Sequence, residues 1–132
     1  MEIALAALAN DANVASDGNL NLLGIFDTIG ASGFPVRHPT MAFAFRVRFE
    51  YDDQNKAKRL DIRLLNQDGK VLFNAKAQIQ VGTIPPGQFV HANQILFLRG
   101  TEFAGEGRYR FRIEGAGKEP HDTVFQVVKV RR

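Results

Sequence analysis

The side chains that could do chemistry in this sequence are few and far apart. Histidine occurs only at His38, His91 and His121, and no local pair has the spacing of a metal site. Serine occurs only at Ser16 and Ser32, and neither lies in a G-x-S-x-G nucleophile elbow. Cysteine is absent, which excludes disulfides, thiolate catalysis and cysteine-rich zinc sites. We therefore expect no enzymatic activity, no cofactor and no metal. A small enzyme of unrecognised type is kept as a third hypothesis, after the two binding functions given at the end of this section.

Asp27 is the carboxylate that most invites a chemical interpretation, because it stands among apolar residues in "SDGNLNLLGIFDTIG". No second carboxylate or histidine stands nearby at the spacing of an acid–base pair. Asp27 follows Phe26 where a strand should leave the core, so we expect it to accept hydrogen bonds from backbone N–H groups of the next turn. Gly24 indicates a bulge or a close-packing position. The stretch is predicted to build the fold.

Arginine supplies the most suggestive cluster. Outward positions of several strands carry the candidate anion-binding residues Arg46, Arg48, Arg63, Arg108, Arg110 and Arg112, with Arg59 in the same pattern. If their strands share one sheet, they form a basic face, and the arginine fork suits carboxylate or phosphate. No aromatic residue shares their outward register, and Glu50, Asp61 and Glu114 can pair with them. A solvated, self-paired face is the competing interpretation.

The segment "GFPVRHPTM" is a candidate recognition loop, with Phe34, Arg37 and His38 at its tip. Its two prolines restrict the backbone. The alternative is a stiff crossover between two sheets, with Phe34 inserted into the core.

Period-two alternation of apolar and polar residues dominates the chain and predicts strands. Asp68-Gly69 supplies the turn of the clearest hairpin. The predicted strands are 3–9, 20–29, 43–49, 60–64, 71–79, about 89–99, 109–113 and about 123–130.

These strands predict an all-β fold: one domain, 1–132, built as an antiparallel β-sandwich of about eight strands, immunoglobulin-like or jelly-roll-like. The first strand should pair antiparallel with the second across "NDANVASDG". In "GEGRYRF", Tyr109 matches the tyrosine that ties a corner of immunoglobulin-like sandwiches through its hydroxyl.

Charge and hydropathy point to a soluble protein. There are 17 Lys plus Arg and 14 Asp plus Glu, a formal net charge of +3. No window approaches the roughly 18 apolar residues of a membrane-spanning helix. The first residues lack the basic start of a signal peptide, so we expect a cytoplasmic location.

A resemblance appears in "ANVASDGNLNLLGIFDTI", followed by "FPVRHPTM" and a strand ending "RFE". Together these segments resemble a family of short, uncharacterised bacterial proteins known only as a domain of unknown function. The resemblance covers about the first 50 residues. It implies a compact bacterial β domain and carries no activity or site residues.

Several strands lack a clean polar face, among them 3–9, 20–26, 95–98 and 125–130. A strand that is apolar on both sides needs a cover, and a second subunit is the simplest one. We therefore predict a non-catalytic binding or assembly module that forms a homo-oligomer. Binding of nucleic acid or another polyanion is the alternative.

Overall fold

The computed structural model describes residues 1–131, which form nine β-strands and one short 3₁₀ turn. The strands are β1 (Glu2–Val14), β2 (Leu20–Ile25), β3 (Thr28–Ala31), β4 (Val36–Phe49), β5 (Ala57–Leu65), β6 (Val71–Gln80), β7 (Val90–Phe103), β8 (Gly107–Glu114) and β9 (His121–Lys129). Sheet A has the order β2-β1-β4-β7, and sheet B has the order β3-β9-β8-β5-β6. The predicted all-β sandwich is confirmed, with nine strands instead of about eight.

The core lies between the two sheets, because the apolar residues of each alternating strand face inward. Phe43 of β4 stacks on Phe111 of β8, with ring centroids 4.3 Å apart, and so joins the centres of both sheets. A second aromatic group, Phe103, Tyr109 and Phe125, fills one end of the sandwich. Burying side chains of this size stabilises the fold by about 1.5–3 kcal/mol each.

The opening stretch divides into two strands in different sheets, where a single strand over 20–29 was predicted. β2 pairs antiparallel with β1 as expected, but β3 pairs parallel with β9 in sheet B. The chain crosses over at Phe26 and Asp27, whose backbone groups bond to Leu8 and Gln126 in the two sheets, at 2.9 and 2.8 Å. The predicted polar loop also shrinks to 15–19, because Asn10–Val14 continue β1.

The predicted β5–β6 hairpin is confirmed. Leu64 lies opposite Phe73, and the register shifts at Leu65. Gly69 has φ +86°, which a residue with a side chain rarely adopts. The Asn66 carboxamide oxygen accepts hydrogen bonds from the N–H groups of Asp68 and Lys70, at 3.0 and 2.8 Å, and so fixes the turn.

The connection from β7 to β8 is a tyrosine corner, as the sequence predicted. The Tyr109 hydroxyl donates a hydrogen bond of 2.7 Å to the Gly105 carbonyl, and the ring packs edge-on against Phe103. The strand order also follows the immunoglobulin pattern, in which strands B and E share one sheet and strands C, F and G form the other. Here β4 and β7 share sheet A, while β5, β8 and β9 lie in sheet B. Of the two predicted sandwich types, the topology supports the immunoglobulin-like one.

Asp53 joins the sheets at the opposite end. It ends the 3₁₀ turn Tyr51–Asp53 between β4 and β5 and is only 7% exposed. Its carboxylate accepts the Glu50 N–H at 2.9 Å and contacts the Met1 amino group and Lys58 Nζ, both at 3.1 Å. Burial raises the pKa of this carboxyl, but the hydrogen bonds and cations outweigh it and lower the pKa to about 2.

Candidate functional site

The outer face of sheet A is partly covered by the chain itself. Ala42 and Ala44 point away from the core, yet both are fully buried. They belong to a second apolar cluster whose members are Ala12, Leu20, Leu22, Ala42, Ala44 and Ile95. The Asn93 amide of β7 also donates a hydrogen bond of 2.9 Å to the Gly18 carbonyl. The tip of the β1–β2 hairpin therefore folds over β4 and reaches β7, supplying part of the cover that the sequence led us to expect from another subunit.

Large apolar side chains beyond this cover remain exposed. Phe97, Ala42, Ala9 and Ile25 lie opposite one another across the four strands of sheet A, and directly opposite residues share one face. Phe97 is 60% exposed and Ile25 is 65% exposed, at the two ends of this row. Sequence analysis included residues 95–98 among the strands without a clean polar face, but it did not single out Phe97.

β7 forms an edge of sheet A along its full length. Thirteen of its fourteen residues, all except Gly100, have partners in a single register with β4, and β4 is its one neighbour among residues 1–131. No backbone hydrogen bond within residues 1–131 uses the other side of β7. Natural edges are usually protected by charged side chains or proline. β7 contains no proline, and its charged residues, Arg99 and Glu102, lie near its end, so that 90–98 carry no Lys, Arg, Asp or Glu. Of the other edges, β2 and β3 are short, and β6 carries Lys76.

The candidate anion-binding arginines do not lie on one face. Arg63, Arg108, Arg110 and Arg112 are on the outside of sheet B, whereas Arg46 and Arg48 are on the outside of sheet A. The condition for one continuous basic face is therefore not met.

Most of the sheet B arginines are paired with carboxylates. Arg112 binds Asp122 with two hydrogen bonds of 2.8 and 2.9 Å, and Arg110 lies 3.7 Å from the same carboxylate. The Arg112 contact lowers the pKa of Asp122. Arg63 contacts Asp61 at 2.9 Å and Glu114 at 3.7 Å. This arrangement is typical of a solvated, self-compensating face.

Sheet A places an aromatic ring beside its arginines, contrary to expectation. The Arg48 guanidinium carbon lies 4.2 Å from the centre of the Phe89 ring, a cation–π contact. Phe89 is 51% exposed and meets the ring of His91 edge-on, with centroids 5.4 Å apart. The predicted strand began at about Phe89, but its pairing with β4, which brings Phe89 beside Arg48, could not be predicted from alternation.

The predicted recognition loop is divided between three roles. Phe34 packs against the main core, as the crossover alternative expected. Arg37 and His38 belong to β4, where Arg37 is exposed and lies 3.9 Å from Glu102. His38 is half-buried against Phe26, and burial lowers its pKa. The three side chains do not form a common recognition surface.

The predicted hydrogen bonds from backbone N–H groups to the Asp27 carboxylate do not occur among residues 1–131. The Asp27 side chain accepts the Thr28 hydroxyl at 2.9 Å instead. Gly24 is a close-packing position, because its φ is +70° and a Cβ atom there would collide with the Asn10 amide.

The three histidines are distributed over β4, β7 and β9. Within residues 1–131, no three His, Asp or Glu side chains lie close enough together to hold a metal ion. The same part of the chain has no helix long and apolar enough to cross a membrane.

A surface cleft of about 640 Å³ lies on the outside of sheet B. It is lined mainly by Arg59, Asp61, Lys76, Gln78 and Glu114. Both of its carboxylates are ion-paired with Arg63, Asp61 at 2.9 Å and Glu114 at 3.7 Å.

Fold and site define a small immunoglobulin-like β-sandwich with one long, unpaired sheet edge. The chain belongs to the Family of unknown function (DUF6941), whose family model matches residues 4–128. The predicted relation to an uncharacterised family is confirmed, and the match extends well beyond the first 50 residues. A comparison with curated proteins gives no match.

Proposed function

We propose that this protein is a non-catalytic assembly module that self-associates through the edge of β7. The observation that carries the proposal is the length of that edge: a strand of fourteen residues, paired on one side only and without lysine or proline. Free backbone N–H and C=O groups in such a row are a template for another strand. Natural proteins usually protect such an edge with charged side chains, and the first nine residues of β7, 90–98, contain none.

A second copy of this chain is the partner that fits. Two β7 strands related by a two-fold axis run antiparallel, so each supplies the backbone groups that the other lacks. An axis close to Phe97 would place that exposed ring beside its counterpart and remove it from water. The two copies would then share one continuous sheet of eight strands. The ion-paired carboxylates of the cleft on sheet B are consistent with a non-catalytic role.

Sedimentation velocity over a range of protein concentrations, at low and at 1 M salt, tests the proposal. We expect a dimer that persists at high salt, because apolar and backbone contacts are weakly screened. Phe97→Lys should shift the protein to monomer, since it places a charge on the edge. The matched control is Leu72→Lys, which changes an exposed apolar residue on the β6 edge and should leave the dimer intact. A wild type that stays monomeric, or a dimer indifferent to Phe97→Lys, would refute the proposal.

A further inference from the structure

A cluster of polar side chains lies on the outside of sheet A, at the end of β4 where Arg46 and Arg48 stand. The β4–β7 register sets Arg46 opposite Asn93 and Arg48 opposite His91. Val47, between the two arginines, is buried in the core, so all four polar side chains share the outer face. We refer to Arg46, Arg48, His91 and Asn93 as the Arg–His patch.

The Arg–His patch has hydrogen-bonding capacity that the described chain leaves unused. Arg46 has no carboxylate within 4.0 Å among residues 1–131, in contrast to the paired arginines of sheet B. The buried Nε atoms of Arg46 and Arg48 also have no partner there. Because the Nε atoms of Arg63 and Arg110 on sheet B are unpaired too, the feature that distinguishes the patch within the described chain is the absence of a carboxylate beside Arg46. Buried polar atoms are normally satisfied, so unpaired ones mark a place for a ligand or water.

His91 lies opposite Arg48 and within reach of the charge of Arg46. Burial is the main cause that lowers the pKa of His91, and the charges of Arg46 and Arg48 lower it further. The other charged groups facing the patch are Glu2 on β1 and Glu50 after β4, at 3.8 and 2.8 Å from the Arg48 guanidinium. Asp17 is in the hairpin loop next to Gly18, whose carbonyl accepts the Asn93 amide.

The Phe89 ring borders the Arg–His patch. It contacts Arg48 on one side and His91 at the edge, which restrains both side chains. A pair of guanidinium forks with an imidazole beside them matches a tetrahedral oxyanion, which accepts hydrogen bonds from several directions. Arg46 has its whole guanidinium available for such an anion, whereas Arg48 already donates a hydrogen bond to Glu50.

We propose that the Arg–His patch binds a phosphate group, with Arg46 and Arg48 as its main donors and His91 as a third. Binding should strengthen as pH falls and His91 becomes protonated, and by linkage the bound anion should raise the pKa of His91. Self-association through β7 is not required for this site.

The test is an NMR titration of the histidine ring protons of the full chain. Sulfate serves as the tetrahedral dianion for the pH titration because its charge is constant over the pH range in which histidine titrates. Chloride at equal ionic strength is the blank. We expect sulfate to raise the pKa of His91 by about half a unit or more, a threefold coupling, while the pKa of His38, which lies outside the patch, does not change. Arg46→Gln should abolish the effect and weaken phosphate binding at fixed pH about tenfold.

The matched control is Arg110→Gln, which removes an outward arginine from sheet B and should leave the response of His91 unchanged. Backbone amide spectra establish that each variant remains folded. Titrations with inorganic phosphate and with adenosine monophosphate distinguish the source of the group: equal affinity indicates phosphate alone, and tighter nucleotide binding indicates a base on Phe89. A His91 titration that is identical in sulfate and chloride, or unaffected by Arg46→Gln, would overturn the proposal.

Discussion

Replacing Asp53 by asparagine should remove a defined, pH-dependent part of the stability. The Asp53 pKa is 3.8 in its ordinary state and about 2 in the folded protein. At 1.36 kcal/mol per pKa unit, this difference corresponds to about 2 kcal/mol of unfolding free energy at neutral pH. The physical source is the contact of the carboxylate with the Glu50 N–H, the Met1 amino group and Lys58.

The sign follows from the lowered pKa. The unfolded chain takes up this proton at higher pH than the folded protein, so the stabilisation is complete above about pH 5 and decreases below it. About half of it should be lost by pH 3, and nearly all of it below the folded pKa. Asparagine does not titrate, so the difference between wild type and Asp53→Asn should shrink by about 1 kcal/mol between pH 7 and pH 3.

Urea unfolding at pH 7, 5, 4 and 3 measures this difference directly. The matched control is Asp52→Asn, which removes the same charge from the same 3₁₀ turn, where the side chain is exposed. That variant should lose little stability at any of these pH values. If the difference in unfolding free energy between wild type and Asp53→Asn were constant with pH, the pKa of the Asp53 carboxyl would not be lowered in the folded protein, and the reasoning would be refuted.

Two further variants test the local geometry of the fold. Tyr109→Phe deletes the hydroxyl that bonds to the Gly105 carbonyl and should lower the free energy of unfolding in urea by about 1–2 kcal/mol. The control Tyr51→Phe, at an exposed tyrosine, should lower it by nothing measurable. Equal losses of unfolding free energy in the two variants would argue against the tyrosine corner. Gly24→Ala and Gly18→Ala both place a side chain at positive φ, but only Gly24 has the Asn10 amide in the way. Gly24→Ala should therefore lower the melting temperature more, and Asn10→Ala should relieve part of the loss; equal effects of the two glycine variants would contradict the close packing.

Alternation was enough to predict the fold class and the most local pairings. The β5–β6 hairpin and the tyrosine corner depend on neighbouring residues, so Asp68-Gly69 and Tyr109 indicated them directly. The division of 20–29 into β2 and β3 was not predicted. Alternation describes which side of a strand is apolar, but the change of sheet at Phe26 and Asp27 depends on distant bonds to Leu8 and Gln126.

The candidate sites were harder to predict because they depend on sheet order. The outward positions of the arginines were correctly identified, yet their division between sheets follows from β4 and β8 lying in different layers. The edge position of β7 likewise depends on which strand lacks a second neighbour. Asp53 gave a weak signal, a carboxylate three residues after Glu50 that completes a capping box, but its burial depends on Lys58 and the Met1 amino group.

Amide hydrogen exchange along β7 tests self-association through this edge most directly. In an antiparallel strand, alternate N–H groups point to opposite sides, so about half of the β7 amides are bonded to β4 and the others face the free edge. We predict that the outward-facing amides near Phe97 become protected as the protein concentration rises, and that Phe97→Lys abolishes this protection. Outward-facing amides that exchange rapidly at every concentration would contradict the proposal that β7 is the assembly edge.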